Sequence, residues 1–227
     1  MKKSIFVTLL IVSLGFLFSS CGTTRIASFP QMYDEDPVVM LIMPPINNSS
    51  AADAKDYFYT TMNVPLAEAG YYVLPPAVTM ATLQKESAYD AEKFVEGDLK
   101  KFGKLFGADV AVFTVIKSWN KSLVGSAVII EIEYIFRSTK TNETLYHRDA
   151  RITCDTSTGV ATNSLIGSLL IATADAIKTA ATDYVSVAVK CNKSALKDVP
   201  YGKYHPKHGA DKELSAMPEK INISASK

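Results

Sequence analysis

Two hydrophobic patterns alternate along the first half of the chain and predict a layered α/β domain. Short runs that are apolar at nearly every position predict strands covered on both faces: residues 38–43, 71–74 and 109–116. Between them, helical patterning predicts helices over residues 51–69, 78–86 and 92–106, with a kink at Pro65 in the first. Prolines at 44–45 and 75–76 end the first two strands, and Gly70 and Gly107 end helices.

The pattern changes to strict alternation over residues 126–137. One face of this segment is apolar and the other carries Glu131, Glu133 and Arg137. A strand with one polar side is typical of an antiparallel strand, and we expect it nearer to an edge of the sheet. Residues 138–142 predict a turn, and residues 143–154 predict the returning strand of a hairpin.

Residues Thr162 to Lys190 form the longest predicted helix, rich in small and apolar side chains. Asp175, Lys178 and Asp183 interrupt its apolar surface, so it is not a membrane span. Two interpretations stay open: a core helix packed on the sheet, or a helix that also contributes to a dimer interface. The predicted fold class is α/β, a mixed sheet flanked by helices, with a hairpin and a long helix toward the carboxyl end.

The amino terminus has the pattern of a lipoprotein signal peptide. Lys2 and Lys3 precede an apolar run, and small residues lead to Cys21. This arrangement predicts cleavage before Cys21 and acylation of its thiol; the alternative is a plain signal peptide with an incidental cysteine. The apolar run is shorter than the ~20 residues that span a bilayer. The absence of an acidic residue directly after Cys21 favours the outer membrane, with the protein facing the periplasm.

Four segments follow from these patterns. Residues 1–20 are the signal peptide, 21–36 a lipidated tether, 37–192 the α/β domain and 193–227 a polar carboxyl-terminal arm. The arm holds seven lysines and four acidic residues, and we expect it to be ordered only where residues 199–204 pack on the domain.

Composition narrows the classes of partner. The net charge is +1 for all 227 residues and −1 once residues 1–20, with Lys2 and Lys3, are removed. This balance provides no basic surface for nucleic acid. The apolar content of 48% suits a packed core.

Two cysteines remain beside Cys21. In an oxidising periplasm, Cys154 and Cys191 could pair and stabilise the fold by about 3–4 kcal/mol in the chain-entropy model. The alternative is two independently buried thiols that behave as small apolar side chains. The sequence does not decide between them.

The sequence predicts no catalytic residues, no cofactor and no metal. It has no Gly-x-Ser-x-Gly elbow, no phosphate-binding glycine loop and no Cys-x-x-Cys. His205 and His208 lack further ligands, so a solvated tail is the better interpretation. Glu131 and Glu133 lie about 7 Å apart on one strand face, a spacing that could serve acid/base chemistry but is typical of a solvated face.

Several motifs resemble a family of bacterial lipoproteins of unknown function. They are Pro44-Pro45-x-Asn47, the run from Pro65 to Pro75, Leu105-Phe106-Gly107-Ala108-Asp109, Tyr201-Gly202 and His208-Gly209. The resemblance implies an α/β domain similar to the amino-terminal domain of TolB, and homodimers. It also implies kinship with periplasmic lipoproteins that assist secretion assemblies, such as the curli secretion lipoprotein. It brings no catalytic residues.

These observations favour a non-catalytic lipoprotein that acts as an accessory or adaptor subunit of an envelope transport or secretion assembly. The expected partners are the membrane, through Cys21, and envelope proteins. The alternative is a periplasmic carrier of a small apolar ligand or lipid, suggested by the apolar segment from Leu165 to Ile171. A hydrolase would need a cleft of converging polar groups.

Overall fold

The computed structural model describes residues 22–122, 127–155 and 184–225. Cys21 and residues 162–183 of the predicted long helix lie outside the described residues. The strands are β1 (Val39–Ile42), β2 (Ile46–Asn47), β3 (Tyr72–Val73), β4 (Val110–Ser122), β5 (Ala127–Ser138), β6 (Thr144–Asp155) and β7 (Lys220–Ala225). The helices are α1 (Arg25–Ser28), α2 (Pro30–Glu35), α3 (Ala54–Thr61), α4 (Asn63–Glu68), α5 (Pro76–Lys85), α6 (Glu92–Val95), α7 (Lys100–Phe106) and α8 (Tyr184–Ala195).

The seven described strands form one mixed sheet, which confirms the predicted α/β class. Their order is β3-β1-β4-β5-β6-β7, and β2 also pairs with β4. The short apolar runs pair in parallel, β3 with β1 and β1 with β4. The hairpin strands β4, β5 and β6 pair antiparallel, and β7 returns parallel to β6. The two hydrophobic patterns therefore correspond to the two halves of one sheet.

Two apolar cores lie on opposite faces of this sheet. The larger contains side chains from α3, α4 and α8 together with the apolar face of β5 and β6, among them Phe58, Leu66, Tyr134 and Cys191. The smaller lies under α5, α6 and α7 and includes Leu41, Phe102 and Phe113. Burial on both faces explains why β1 and the start of β4 are apolar at every position.

Two predicted helices are each divided in the structure. The first breaks at Met62, which places Pro65 in the first turn of α4. N–H groups in a first turn have no partner within the helix, so the N–H that proline lacks is not needed there. The segment 92–106 breaks around Gly97 because Arg137 binds the main-chain carbonyls of Phe94, Val95 and Gly97. The guanidinium thus satisfies acceptors that a continuous helix would use internally.

The expectation that β5 lies near an edge is wrong, because the carboxyl-terminal segment extends the sheet. β7 pairs with β6 over six residues and directs Ile221, Ile223 and Ala225 to the larger core. The arm is therefore ordered through most of its length. Its lysine-rich composition obscured a short alternating strand at its end.

The expected tether is likewise part of the fold. Residues 25–35 form α1 and α2, and Phe29 and Met32 are buried in the larger core. Arg25 reaches the buried carboxylate of Asp211 at 3.1 Å, and Tyr33 donates to the same carboxylate at 3.2 Å. An ion pair therefore joins the two segments that were predicted to be mobile.

A second buried pair connects the tail with the sheet. Arg148, on β6, donates two 2.7 Å hydrogen bonds to Asp198, and neither side chain is more than 3% exposed. Asp198 also accepts from the amide of Met217 at 2.6 Å and from the Tyr146 hydroxyl at 3.2 Å. These bonds satisfy the carboxylate in the absence of water.

The main chain of the tail passes directly over the end of α4. The Gly202 amide donates to the Ala69 carbonyl at 2.8 Å, and the Tyr204 amide to the Gly70 carbonyl at 2.9 Å. A side chain on Gly202 would meet the Gly70 carbonyl oxygen at 2.6 Å. Glycine at 202 is therefore required by close backbone approach, which gives a physical reason for the Tyr201-Gly202 motif.

Breaking the buried pair should destabilise the whole protein. We expect Asp198→Ala to lower the free energy of unfolding by about 3–5 kcal/mol, because Arg148 would remain buried without a counter-charge. Urea denaturation of the purified protein measures this. Glu68→Ala is the matched control, since Glu68 pairs with Lys193 at the surface, where about 0–1 kcal/mol is expected. Equal losses in the two variants would contradict the assignment.

The start of β1 should depend on the charge of Asp109. Burial raises the pKa of Asp109, but hydrogen bonds from Lys140 and from the amides of Val38 and Val39 outweigh it, so the pKa is lowered overall. The carboxylate therefore stabilises the fold above its unfolded pKa and loses this contribution as the pH falls. Asp109→Asn should melt lower than the wild type by about 3 °C or more at pH 7, at about 2–4 °C per kcal/mol.

Melting curves from pH 7 to pH 3 test this expectation. The difference between wild type and Asp109→Asn should shrink below about pH 4, near the unfolded pKa of an aspartate. A difference that stays constant to pH 3 would show that the charge is unimportant.

Candidate functional site

The sheet face beneath α5, α6 and α7 changes from apolar to polar along the hairpin. Near these helices it carries Phe113 and Ile135. Further along the hairpin the same face carries seven polar side chains that are at least partly exposed. We call them the open sheet face: Lys117, Ser118, Glu131, Glu133, His147, Asp149 and Arg151.

The hairpin register places these groups side by side. Glu131 pairs with Arg151, and Glu133 with Asp149, directly across β5 and β6. Lys117 occupies the irregularity of β4 between Ile116 and Ser118. An extra residue at a bulge re-aims its side chain, which here reaches two strands away.

Ion pairs connect the members of the open sheet face. Lys117 Nζ lies 2.9 Å from Glu133 and 3.0 Å from Asp149. His147 contacts Glu133 through Nε2 at 2.7 Å and Glu219 through Nδ1 at 2.6 Å. Glu131 pairs with Arg151 and accepts from the Ser118 hydroxyl at 3.1 Å.

The network favours the ionised forms of Glu133 and Lys117. Burial raises the pKa of Glu133, but hydrogen bonds from His147 and Lys117 outweigh it, so the pKa is lowered. For Lys117, burial acts to lower the pKa, but bonds to Glu133 and Asp149 outweigh it and raise the pKa. A carboxylate held ionised in this way is poorly suited to donate a proton near neutral pH. The arrangement suits recognition of a charged surface better than proton transfer.

A shallow hollow of about 270 Å³ lies at the β6–β7 side of this face. Its charged lining includes Lys117, Glu131, Asp149, Arg151 and Lys220. The hollow therefore presents both signs of charge to solvent.

The structure separates the sequence candidates for acid/base chemistry. Glu131 and Glu133 share a face as predicted, but each binds different cations. Arg137 was expected to balance their charge on that face; instead it is buried and binds main-chain carbonyls. That expectation was wrong because the end of β5 lies under α6 and α7.

The tail histidines contact Tyr201 within the tail, and His208 Nε2 also lies 3.3 Å from a carboxylate oxygen of Asp36. The ring of His205 stacks on Tyr201 with centroids 3.6 Å apart, and His208 Nδ1 lies 2.7 Å from the Tyr201 carbonyl oxygen. Within residues 22–122, 127–155 and 184–225, no three His, Cys, Asp or Glu side chains form a group that could hold a metal ion.

Cys154 and Cys191 meet in the larger core. Their sulfur atoms lie 3.7 Å apart, one on β6 and the other on α8, and both are thiols in the structure. The contact between them lowers the pKa of Cys154 and raises that of Cys191, whose thiol is also deeply buried. The packing of α8 on β6 brings the two cysteines together, and a disulfide between them stays a prediction. Cys21 lies outside the described residues.

Lys117, His147 and Asp149 were missed as members of a site. Counting back from a turn at residues 138–142 pairs Arg137 with Glu143 and therefore Glu133 with His147. The structure instead pairs Glu133 with Asp149 and Ile135 with His147, and the register shifts between Phe136 and Arg137. The alternation of the sequence reveals neither this irregularity nor the one in β4 that holds Lys117. Nor did the sequence indicate that Glu219 would return beside β6.

The part of the chain that the structure describes contains no helix long and apolar enough to cross a membrane.

Comparison with known proteins identifies the family. Residues 28–204 match the family model described as "Putative lipoprotein GNA1162-like". The lipoprotein NMB1124/NMB1162 of Neisseria meningitidis serogroup B is 22% identical over 169 residues, covering 73% of this chain and 78% of that one.

Solved structures give weaker similarities. The crystal structure of lipoprotein GNA1162 from Neisseria meningitidis is 22% identical with a TM-score of 0.48, covering 62% of this chain and 98% of that one. The LpoB carboxyl-terminal domain from Escherichia coli is 14% identical with a TM-score of 0.36, covering 55% and 94%. The family model spans more than three quarters of the sequence and contains four of the five motifs noted above, so the chain belongs to the GNA1162-like lipoprotein family.

Proposed function

We propose that this lipoprotein is a non-catalytic accessory or adaptor subunit of a cell-envelope transport or secretion assembly. In this proposal it is anchored in the outer membrane through acylated Cys21, faces the periplasm and binds an envelope protein with the open sheet face. The observation that carries the proposal is the ion-pair network on that face, combined with membership of a lipoprotein family.

The open sheet face has the properties of a surface that recognises another protein. Its side chains stand on three paired strands, so their positions are fixed before a partner arrives. Lys117 and Arg151 are 38% and 49% exposed, so they are accessible to opposite charges. Exposed ion pairs of this kind contribute only about 0.2–1 kcal/mol each to the stability of the fold. Their side chains can therefore leave one another and bind charges of another protein with little loss of stability. A charged interface of this type favours specificity and fast association.

The carrier alternative has less support in the described residues. Leu165 to Ile171, which suggested it, lies outside them. The hollow beside Lys117 is lined by ion-paired side chains, and another of about 280 Å³ is lined in part by Glu68, Lys193 and Lys197. Small-molecule sites are mostly apolar and more enclosed, so these hollows fit an apolar ligand poorly.

A photo-crosslinking amino acid on the open sheet face should capture a specific envelope protein in living cells. We choose Asn222, exposed on β7 and paired in register with Arg151. Gln84, exposed on α5, is the control position because it carries a similar amide at a distance from this face. Adducts are separated by gel and identified by mass spectrometry.

The charge dependence of capture tests the mechanism. Lys117→Glu should reduce the adduct about tenfold or more, because it places a third negative charge between Glu133 and Asp149. Lys85→Glu, on α5, should leave it unchanged. Equal adducts from Asn222 and Gln84, or no effect of Lys117→Glu, would contradict the proposal. The predicted homodimer would appear as an adduct of twice the monomer mass, and self-capture alone would refute an adaptor.

We further propose that Cys154 and Cys191 form a disulfide in the periplasm. The two thiols would give up two electrons and two protons to a protein disulfide, which is reduced to a dithiol. Alkylation of the denatured wild type before reduction should leave both cysteines unmodified, and mass spectrometry should show a mass two hydrogen atoms below that of the dithiol.

In the variant Cys154→Ser, Cys191 has no partner and should become alkylated once the protein is denatured. Reduction should destabilise the wild type by about 3–4 kcal/mol. Alkylation of both thiols without reduction would support independent burial.

A further inference from the structure

The chain that follows Cys21 is fixed to the domain almost at once. The Thr23 carbonyl accepts from the Ala216 amide at 2.8 Å, and the Arg25 amide donates to the Leu214 carbonyl at 2.8 Å. Thr24 forms an antiparallel bridge with Ser215. Gly22 is therefore the one residue between Cys21 and this short ladder.

The side chain of Arg25 also attaches this segment to the domain. It pairs with Asp211 and also donates to the main-chain carbonyls of Val199 and Lys197, each at 3.3 Å. Asp211 is fully buried and lies in the turn that leads to Leu214. Pulling the ladder away from the domain would expose this buried ion pair or leave one of its charges unpaired. We therefore expect the ladder to stay attached when the anchor is pulled.

The distance from Cys21 to the ladder is short on the scale of a membrane. Two residues of extended chain reach at most about 7 Å. A bilayer of ~40–45 Å has a hydrocarbon core of about 30 Å, so each headgroup layer is about 5–8 Å thick. A lipid on Cys21 would therefore hold the ladder that begins at Thr23 within about one headgroup layer of the acyl chains.

The side chains beside the ladder suit that environment. Leu214 is 46% exposed, although most large apolar side chains of the described residues are buried. Lys212, two residues earlier, and Glu213 between them are exposed as well, so the turn presents one cation and one anion beside Leu214. An apolar side chain that enters the interface next to a lysine that meets phosphates is a common arrangement at membrane surfaces.

We propose that the turn from Lys212 to Ser215 lies against the phospholipid headgroup layer of the membrane that carries the Cys21 lipid, held there by the short connection to the ladder. This inference rests on the acylation of Cys21 in the proposed function. It replaces a domain suspended on a tether with one that sits directly on the bilayer in a fixed orientation.

Fluorescence quenching by brominated phospholipid tests the contact. The full-length acylated protein is reconstituted into phosphatidylethanolamine–phosphatidylglycerol vesicles, with and without bromine on the acyl chains. Leu214→Trp is compared with Leu105→Trp on α7, since Leu105 is equally exposed at 49%. The native Trp119 is buried and common to both variants. Emission of Leu214→Trp should fall about twofold, as expected for a side chain at the headgroup–acyl boundary, and Leu105→Trp should not change.

Lengthening the connection between Cys21 and the ladder tests whether its short length holds the turn on the membrane. Ten Gly and Ser residues inserted between Gly22 and Thr23 would span about 17 Å on average and release the domain from the surface. Flotation with the vesicles should persist while the quenching of Leu214→Trp is lost. Quenching that survives the insertion would show that the short connection does not hold the turn on the membrane, and would overturn the inference.

Flotation separates the two proposals. A wild-type protein that floats no better than Cys21→Ser would refute the lipid anchor. A protein that floats through Cys21, but whose Leu214→Trp variant is not quenched, would keep the anchor and overturn the contact. Matching urea midpoints for the two tryptophan variants and the wild type would establish that all three are folded.

Discussion

The buried ion pair between Arg148 and Asp198 connects the hairpin, the helical layer and the tail. Arg148 lies on β6 with its charge inside the larger core, where an unpaired guanidinium would be strongly destabilising. Asp198, just beyond α8, supplies the counter-charge and also fixes the Met217 amide. Since β7 begins three residues after Met217, this bond positions the strand that completes the sheet.

The same tail explains why residues 23–35 and 199–225 belong to the folded domain. Asp211 binds Arg25, and the Leu214 and Ala216 main chain pairs with residues 23–25. Burial of this second ion pair gives each terminal segment a partner in the other. The domain therefore includes the residues directly after Cys21, and in the proposed function any force on the lipid anchor would reach its core through a hydrogen-bonded ladder.

The open sheet face and the anchor together define a geometry for an adaptor. Glu219 contacts His147 and lies only four residues beyond Ser215, so one end of the ion-pair network is near the ladder in sequence. If the ladder rests on the bilayer, the network starts close to the membrane and extends along the hairpin. A short connection fixes the orientation of the domain before binding. The domain therefore loses less rotational entropy when it binds a membrane-bound partner.

Local pattern was sufficient for the main strands of the first half of the chain, and the family motifs agreed with it. The apolar runs at β1, β3 and β4 and the alternation of β5 reflect burial on two faces and on one, so each strand carried its own signal. The same alternation placed Glu131 and Glu133 on one face.

Tertiary structure alone decided the contacts that link distant segments. Asp198 with Arg148, Asp211 with Arg25, Cys154 with Cys191 and Lys117 with Asp149 are pairs whose members have no regular spacing, because they meet through sheet order and a bulge. The sequence by itself determined the strands β1, β3, β4, β5 and β6, the turn between β5 and β6, and the family of this lipoprotein. Long-range pairing of buried charges decided that its polar termini belong to the fold, since such charges are stable in the core only when they are brought together.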